Sequence, residues 1–388
     1  MSTATMLLAG GGTGGHVFPL VAVADALAEL EPGLECVFVG TSRGIETRVV
    51  PARGYRLELM DVLPLRGGGV RAAAAASLRA AKALSAARAL VKRLRPKAVL
   101  SIGGYAAGPI SLAAAVSRVP ISLLEPNSVM GLANRLLAPL VSRAYTAFEP
   151  VERHLRRSII VRSGVPLQRG FGPRPYVSSA VPSVLVLGGS QGAVALNETV
   201  PRALARVRGE LSIVHQAGPA HGTAVERRYR ELGLAARVRV VPFIDEMPEA
   251  LAAASLVIGR SGASAVSEIA AVGRPSILIP FPYAAGDHQR LNALALEAVG
   301  AAICVTQERA TAGRLSEQVS LLLREPARLE AMAAAAASFG RPDAARVVAH
   351  DLLALAGLRP GRLAGSSVSS ALHPEMAAGV RVDGEEVA

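Results

Sequence analysis

The stretch that decides the fold is Met6 to Pro19, MLLAGGGTGGHVFP. A short apolar run breaks into glycines before a helix-compatible segment, so the pattern predicts a strand, a turn and a helix. Gly10, Gly12 and Gly15 have the G-x-G-x-x-G spacing, which lets backbone N–H groups approach a phosphate at a helix N-terminus. The spacing fits a nicotinamide-binding domain, a sugar-nucleotide enzyme or a turn that binds nothing. His16 adds a possible proton acceptor where an anion would lie.

The length and composition predict two globular domains. The chain has 388 residues, of which 51% are hydrophobic and 19% charged, and this exceeds what one core usually supports. Arg is far commoner than Lys, as expected from coding bias, so the net charge of +12 says little about a partner. Residues 1–163 nevertheless hold 20 Lys and Arg against 10 Asp and Glu, so the basic excess belongs to the first half.

Nine basic side chains and no acidic one lie in residues 66–97, along a predicted helix over 70–94. Leu84, Leu90, Val91 and Leu94 share one face of that helix, and the basic residues spread over the other. This pattern fits a solvated surface helix or a face that docks on an anionic membrane. Nucleic acid is the weakest interpretation, because aromatic residues that stack on bases are almost absent.

The cysteines and the N-terminus predict a cytoplasmic protein. Cys36 and Cys304 each lie in an apparent strand, in different halves, and read as free thiols with no metal-site spacing. The first apolar run has no preceding basic residue and dissolves into glycines, unlike a secretory signal. The uncharged run over 98–117 is broken by glycines and Pro109, which predicts a strand, a loop and a helix rather than a membrane span.

Short apolar runs alternate with Ala- and Leu-rich segments along both halves, which is the rhythm of parallel sheets with crossover helices. The predicted fold class is therefore α/β, with two Rossmann-like halves whose ligands bind at the carboxyl ends of the strands, in a central cleft. The first half covers 1–163, a Gly-, Pro- and Arg-rich linker 164–182, and the second half starts at 183. The predicted strands of the first half lie at 6–9, 35–39, 57–60, 98–102, 121–124 and 143–147. Those of the second half lie at 183–187, 211–215, 237–241, 256–258, 276–280 and 302–305. Residues 357–388 read as a disordered tail.

Four clusters at predicted strand ends carry the chemistry. Two are glycine loops of the first half, 10–16 and 103–109, which together form a candidate diphosphate site. The third, GGSQGA at 188–193, offers a hydroxyl and amides to an anion from the second half. The fourth runs from Arg260 through Glu268 to Gln289 and Asn292. A carboxylate such as Glu268 can accept both ribose hydroxyls, and the Gln289 amide suits sugar hydroxyls.

Glu125 and Asn127 follow another strand of the first half and are expected to project into the cleft. A carboxylate near His16 would orient its imidazole or act as a base itself, and either role is worth roughly 10²- to 10⁴-fold in rate. The alternative is that Glu125 and Asn127 belong to a helix-capping turn with no catalytic role. No Asp-x-Asp occurs in the chain, so the metal signature of the other large class of sugar-nucleotide transferases is missing. A nicotinamide site would also lack its acidic residue, because no carboxylate follows strand 35–39 until Glu46.

Several motifs in order, GGTGGHVFP, GTSRGIE, GGYAAGP, EPNSVMGLANR, GGSQGA, SGASAVSE and DHQRLNA, make residues 5–355 resemble the MurG family of glycosyltransferases. The resemblance implies a GT-B fold, whose C-terminal helix, 339–356, crosses from the 183–338 domain back to the first. It also implies an inverting, metal-independent transfer of N-acetylglucosamine from UDP-GlcNAc to an undecaprenyl-linked muramoyl-pentapeptide, without a cofactor. That reaction takes place on the cytoplasmic face of the membrane, with a peripherally bound enzyme.

The resemblance also implies roles for individual residues. His16 is the matching candidate base, with Glu125 as its rival. Residues facing the acceptor diphosphate would be Gly11, Gly12, Gly103, Gly104 and Tyr105. Donor-binding residues would be Thr13, Gly14, Gly15, Asn127, Ser190, Gln191, Ile244, Arg260, Ala263, Ser264, Ala265, Val266, Ser267, Glu268 and Gln289.

The chain departs from the family at Gln168, where an arginine is usual, and Arg162 or Arg169 are the candidates to replace it. The acceptor-domain helix also lacks large aromatics, which predicts a shallower and more electrostatic membrane contact. The alternatives are a UDP-GlcNAc 2-epimerase of similar architecture, another lipid-acceptor GT-B enzyme, a nicotinamide-dependent oxidoreductase and a non-catalytic membrane scaffold.

Overall fold

Two parallel sheets, one in each half of the chain, form the framework of the protein. The computed structural model describes residues 4–60, 62 and 70–358, and for 70–78 it describes the backbone. The predicted tail over 357–388 lies outside the described residues from position 359 onward. Every strand pairing in both sheets is parallel. The predicted α/β fold class is therefore confirmed.

The first sheet has seven strands in the order β3-β2-β1-β4-β5-β6-β7. Its central strands are continuous apolar runs because helices cover both faces. The strands are β1 Thr5–Ala9, β2 Glu35–Gly40, β3 Arg56–Leu59, β4 Ala98–Ser101, β5 Ile121–Glu125, β6 Arg143–Thr146 and β7 Ile160–Val161. The helices are α1 Gly14–Leu30, α2 Glu46–Ala52, α3 Val70–Leu94, α4 Ala107–Val116 and α5 Leu132–Leu137, which continues as a 3₁₀ turn over Ala138–Leu140.

The second sheet has six strands in the order β10-β9-β8-β11-β12-β13. The strands are β8 Ser183–Leu187, β9 Ser212–Gln216, β10 Val238–Val241, β11 Leu256–Gly259, β12 Ser276–Leu278 and β13 Ala302–Cys304. The helices are α6 Val194–Leu204, α7 Gly222–Glu231, α8 Met247–Ala252, α9 Ala263–Val272, α10 His288–Ala298, α11 Ala312–Leu323, α12 Pro326–Phe339 and α13 Ala344–Leu355. All twelve strands predicted from the sequence are present, most within two residues of their predicted ends. The two-residue strand β7 is an addition.

The strand order places a topological switch point in each sheet, where successive connections leave in opposite directions. In the first sheet the switch lies between β1 and β4, and in the second between β8 and β11. Each of these four strands ends in a glycine-containing loop. The switch point of each sheet, where α/β proteins bind their ligands, therefore lies at sequence motifs singled out above.

The last helix of the described residues, α13, packs against the first sheet although it follows the second sheet in the sequence. Val348, Ala349 and Leu352 are fully buried in the cluster that contains α1 and β1. Asp351 accepts a hydrogen bond from the Tyr145 hydroxyl at 2.9 Å and lies 3.3 Å from Arg143. Burying each large apolar side chain of α13 contributes roughly 1.5 to 3 kcal/mol to this attachment.

Helix α3 has the predicted two faces over the part whose side chains are described. Leu90 and Val91 are buried, whereas the basic residues Arg79, Lys82, Arg88, Lys92 and Arg93 are exposed. Arg71 and Leu78, which the helical wheel also used, lie outside the described side chains. Among the described residues, no helix combines the length and apolar character that crossing a bilayer requires.

Candidate active site

The two glycine loops of the first sheet come together at its switch point. A Cβ at Gly10 would collide with the Ile102 side chain, and a Cβ at Gly104 would lie 3.6 Å from the Gly11 carbonyl and 3.9 Å from His16 Nδ1. Only glycines allow this approach of the loops after β1 and β4, and Gly10, Gly12, Gly103 and Gly104 also have positive φ. The half-buried His16 and the 58% exposed Tyr105 border the crevice that the loops enclose.

His16 is held in the orientation that a base needs. It lies in the first turn of α1, and its Nδ1 is 3.2 Å from the Gly11 carbonyl oxygen. A carbonyl only accepts hydrogen bonds, so Nδ1 is the donor in this contact, and in the tautomer with a single N–H the acceptor nitrogen is Nε2. The Thr13 side chain does not cap α1, so the Gly14 and Gly15 amides at the helix start face outward. The loop thus places the His16 imidazole beside backbone N–H donors.

Glu46 supports the first glycine loop from below, and the sequence analysis missed this role. Its carboxylate accepts hydrogen bonds from Gly12 N at 2.8 Å, Thr41 N at 2.9 Å and Thr41 Oγ1 at 3.1 Å, and the side chain is 1% exposed. A Cβ at Gly11, Gly40 or Gly44 would collide with it. The Gly12 N–H is therefore committed to Glu46. The GTSRGIE motif, with glycines around a single acid, was the available signal.

Glu125 is a buried anchor for the turn that follows β5. Its Oε1 accepts from Asn127 N at 3.1 Å, and its Oε2 accepts from Gly131 N at 2.9 Å and Asn134 Nδ2 at 3.0 Å. The residue is 2% exposed. Both carboxylate oxygens are thus engaged by N–H donors, whereas His16 Nε2 has no such partner among the described residues.

The glycine loop of the second sheet rests on an uncharged network. Gln216 Nε2 donates to the Gly189 carbonyl at 3.0 Å, and a Cβ at Gly192 would collide with the Ala217 carbonyl. Beneath them, His215 lies between the Tyr229 hydroxyl at 2.9 Å and Asn197 Oδ1 at 3.0 Å. Burial lowers the pKa of His215 to about 3, so its imidazole is neutral at physiological pH. Ser190 and Gln191 are exposed at the tip of the loop.

The loop after β11 leads into α9, whose N-terminus has no side-chain cap. Residues 263–268 form its first two turns, with Ala263 and Val266 buried and Ser264, Ala265 and Ser267 half-buried. Glu268 is the sixth residue of α9 and lies in its second turn, one turn after the helix start. Burial raises the pKa of Glu268 to about 7, although an edge of the side chain stays accessible. The α9 amides offer an anion site, and Glu268 offers an acceptor beside it.

Gln289 and Arg260 meet at the loop that joins β12 to α10. Gln289 Oε1 accepts from Phe281 N at 3.0 Å, which leaves its Nε2 donors for a ligand hydroxyl. Arg260 donates to the Ile279 and Pro280 carbonyls at 3.0 and 2.9 Å and to Gln307 Oε1 at 2.6 Å. Burial lowers the pKa of Arg260 to about 10. Arg260 therefore stabilises the start of the loop between β12 and α10, and the Phe281 amide of that loop donates to Gln289. Ile244, the remaining candidate, is buried in the loop after β10.

Neither candidate for the arginine missing at Gln168 is free. Arg162 forms a two-pronged pair with Glu152, with both N–O distances at 2.8 Å, and Arg169 pairs with Glu29. The Gln168 side chain instead accepts a hydrogen bond from Arg53 at 2.8 Å. Arg53 thus brings a guanidinium to this position from the first half of the chain.

Comparison with known proteins agrees with this geometry. The Glycosyltransferase family 28 N-terminal domain matches residues 6–146, and the family 28 C-terminal domain matches residues 183–348. A relative from Sorangium cellulosum is 54% identical over 358 residues, which is 91% of this chain and 88% of that protein. It is named UDP-N-acetylglucosamine–N-acetylmuramyl-(pentapeptide) pyrophosphoryl-undecaprenol N-acetylglucosamine transferase.

Solved structures give the same result at the level of the fold. The crystal structure of MurG from Acinetobacter baumannii superposes with a TM-score of 0.76 at 31% identity, covering 90% of this chain and 99% of that one. A putative UDP-N-acetylglucosamine 2-epimerase from Listeria monocytogenes superposes with a TM-score of 0.66 at 14% identity, covering 94% of this chain and all of the other. At 14% identity, the match to the epimerase shows a shared fold and does not indicate a shared activity. The chain therefore belongs to glycosyltransferase family 28 and, within it, to the MurG family.

Proposed function

We propose that the protein transfers N-acetylglucosamine from UDP-GlcNAc to the C4 hydroxyl of undecaprenyl-diphospho-N-acetylmuramoyl-pentapeptide, the step from lipid I to lipid II of peptidoglycan synthesis. The observation that carries this proposal is the 54% identity to a relative named for this reaction, because the match covers 91% of the chain and so includes both crevices. The second domain, 183–338, binds the donor. The first domain, 1–163, binds the acceptor.

The donor site lies at the switch point of the second sheet. Ser190, Gln191 and the uncapped α9 face the UDP diphosphate, where N–H groups and the helix dipole stabilise negative charge. Glu268 accepts the ribose hydroxyls, and Gln289 Nε2 donates to the sugar. Ile244 contributes its backbone to the uracil, while Asn127 and residues 13–15 reach the donor from the opposite side of the cleft.

The transfer is a single displacement with inversion. His16 Nε2 takes the proton of the acceptor C4 hydroxyl, whose oxygen bonds to the anomeric carbon as the bond from that carbon to the UDP phosphate oxygen breaks. The accessible Nε2 favours His16 over Glu125, whose oxygens already accept four hydrogen bonds. The leaving UDP is stabilised by the amides at the donor loop and the α9 N-terminus.

The first domain also docks on the anionic cytoplasmic face of the membrane as a peripheral protein. Leu132, Leu136 and Leu140 follow one another at helical spacing along α5 and the 3₁₀ turn, and are 74%, 70% and 46% exposed. Leu112 and Val116 of the neighbouring α4 are also exposed, and α3, which carries the exposed basic residues, packs against α4. Exposed leucines beside a helix that carries several exposed basic side chains fit an interface with acidic lipid. Nucleic acid is not a partner in this proposal.

Vesicle binding tests the membrane docking. Leu136→Gln removes an apolar side chain from the patch, and its partition onto phosphatidylglycerol vesicles is expected to fall about three- to tenfold. Leu321→Gln is the matched control, because Leu321 is an exposed leucine of α11 on the second sheet. Equal loss for both variants, or none for Leu136→Gln, would remove α5 from the docking surface.

The reaction itself is tested by incubating labelled UDP-GlcNAc with a short-chain lipid analogue of the acceptor. We expect UDP release and a disaccharide product that both require the acceptor. Formation of N-acetylmannosamine from donor alone would instead establish the 2-epimerase activity, which the shared fold at 14% identity does not exclude. Donor without acceptor thus separates the two reactions in one experiment.

A further inference from the structure

One buried amide joins the two halves of the cleft. Asn292 of α10 is 0% exposed, and its Oδ1 accepts hydrogen bonds from Ser128 N at 2.9 Å and Ser128 Oγ at 2.8 Å. Its Nδ2 donates to the Ser261 carbonyl at 3.1 Å and contacts Asn127 Oδ1 at 3.5 Å. An amide has two acceptor and two donor directions, so Asn292 is fully used. Its partners lie on both sides of the cleft.

The partners of Asn292 are placed where substrates are expected. Ser261 lies in the loop that leads from β11 into α9, and Asn127 and Ser128 lie in the turn anchored by Glu125. Asn292 also lies three residues after Gln289, on the adjoining turn of the same helix. A continuous series of hydrogen bonds therefore runs from Glu125 through Asn127 to Asn292 and on to Ser261.

We propose that Asn292 is a positioning residue that fastens the Asn127–Ser128 turn to the loop that joins β11 to α9, so that the cleft closes in one register when the donor is bound. This inference rests on the proposed transferase function. The Asn127 side chain has two fixed contacts, with Glu125 at 3.5 Å and with Asn292. Without Asn292, Asn127 keeps its backbone position and loses the contact that aims its amide across the cleft.

The first test needs no substrate. The Ser128 amide donates across the cleft to Asn292, whereas the Gly131 amide of the same turn donates to Glu125 within the first domain. Hydrogen–deuterium exchange of the full chain, resolved to single amides by fragmentation, compares the wild type with Asn292→Ala. We expect exchange at Ser128 to accelerate about tenfold or more and exchange at Gly131 to stay within about twofold, because only the first bond is lost. Unchanged exchange at Ser128 would overturn the proposal.

The second test separates positioning from donor binding. Asn292→Asp keeps the acceptor for Ser128 and loses both donors, so we expect Ser128 to stay protected while kcat falls about tenfold. UDP affinity, measured by calorimetry, is expected to stay within about threefold. Wild-type kcat in Asn292→Asp would show that the hydrogen bonds from Asn292 to Asn127 and Ser261 do not affect turnover, and would overturn the proposal.

Ser128→Ala keeps the test decisive if Asn292→Ala fails to fold. It removes the Oγ bond and retains the backbone bond, so we expect a smaller fall in kcat, about threefold. Ser122→Ala is the matched control, because Ser122 is a buried serine whose hydroxyl donates within the first domain to the Val99 carbonyl at 3.2 Å. A kcat of Ser128→Ala that falls no further than that of Ser122→Ala would overturn the proposal. A wild type without transferase activity would defeat the proposed function, and the exchange result would still stand by itself.

Discussion

The two glycine loops at the switch points look alike in sequence and differ in what lies beneath them. Each follows the first strand of its domain and precedes a helix without a side-chain cap. The first loop, 10–15, rests on the carboxylate of Glu46, which accepts the Gly12 N–H. The second, 188–192, rests on Gln216 and on the neutral network of Asn197, His215 and Tyr229.

This difference assigns different chemistry to the two loops. A buried carboxylate beside a loop opposes a closely held anion, whereas neutral amides and a helix N-terminus favour one. The second loop is thus suited to the donor diphosphate, whereas the predicted contact of Gly12 with the acceptor diphosphate would lack the Gly12 N–H, which already donates to Glu46. The first loop, which carries His16 with a free Nε2, is suited to proton transfer. The glycine spacing specifies only the shape of the turn, and the buried residues underneath specify its electrostatics.

The largest expected effect separates the loops by their chemistry. His16→Ala is expected to lower kcat by roughly 10²- to 10⁴-fold, because the acceptor hydroxyl loses its base, with little change in UDP affinity. Steady-state kinetics and calorimetry measure the two quantities. His350→Ala, at an exposed position of α13, is the control. Wild-type turnover in His16→Ala would remove His16 as the base.

Gly192→Ala tests the donor loop alone. Its φ of +78° and a collision with the Ala217 carbonyl both disfavour a side chain, so we expect UDP affinity to fall roughly ten- to a hundredfold. Gly189→Ala is the matched control, because Gly189 has a φ of +81° and nothing within 4 Å of an added Cβ. Similar losses of UDP affinity in both variants would mean that the loss comes from backbone strain and not from the collision with the Ala217 carbonyl.

Glu46→Gln tests the support under the first loop. An amide oxygen and an amide N–H₂ replace two acceptor oxygens, so one of the Gly12 and Thr41 amides loses its partner at a cost of about 1 to 3 kcal/mol. We expect kcat/KM for the acceptor to fall about tenfold while UDP affinity stays unchanged. Glu35→Gln, a half-exposed carboxylate at the start of β2, is the control. An effect on UDP affinity instead would contradict the division of labour between the loops.

A pH dependence of similar size is expected in the donor site. The pKa of Glu268 is raised to about 7, and its carboxylate form accepts the ribose hydroxyls, so UDP binding releases a proton below pH 7. UDP affinity is therefore expected to fall about tenfold between pH 8 and pH 6. Calorimetry in buffers of different ionisation enthalpy measures the proton release. Glu268→Gln is expected to bind more weakly and to lose this dependence, and a retained dependence would assign it to another group.

The fold was predictable from the sequence because short apolar runs and glycine turns are local signals. Both switch-point loops could be placed for the same reason, since each follows directly on its strand. The helix bounds at α3, Val70–Leu94, match the predicted range because charge and apolar residues alternate with a clear helical period.

The supports of the site were not predictable in the same way. Glu46 lies 34 residues from the Gly12 amide that it holds, and Asn292 lies 164 residues from Ser128. Such partners are chosen by the tertiary packing of strand ends, which leaves no periodic trace. The pairing of Arg162 with Glu152 was likewise hidden, so the sequence offered Arg162 as a substitute at Gln168 that the structure does not leave free. The exposed leucines at 132, 136 and 140 do have a helical period in the sequence, so this apolar patch could have been predicted.

The most direct test is a crystal structure of the protein with UDP-GlcNAc bound. We expect the nucleotide to lie at the second switch point, with its diphosphate at Ser190 and α9, its ribose at Glu268 and its sugar at Gln289. A nucleotide held only by the Gly10–Gly15 loop, with the crevice between β8 and β11 empty, would contradict it.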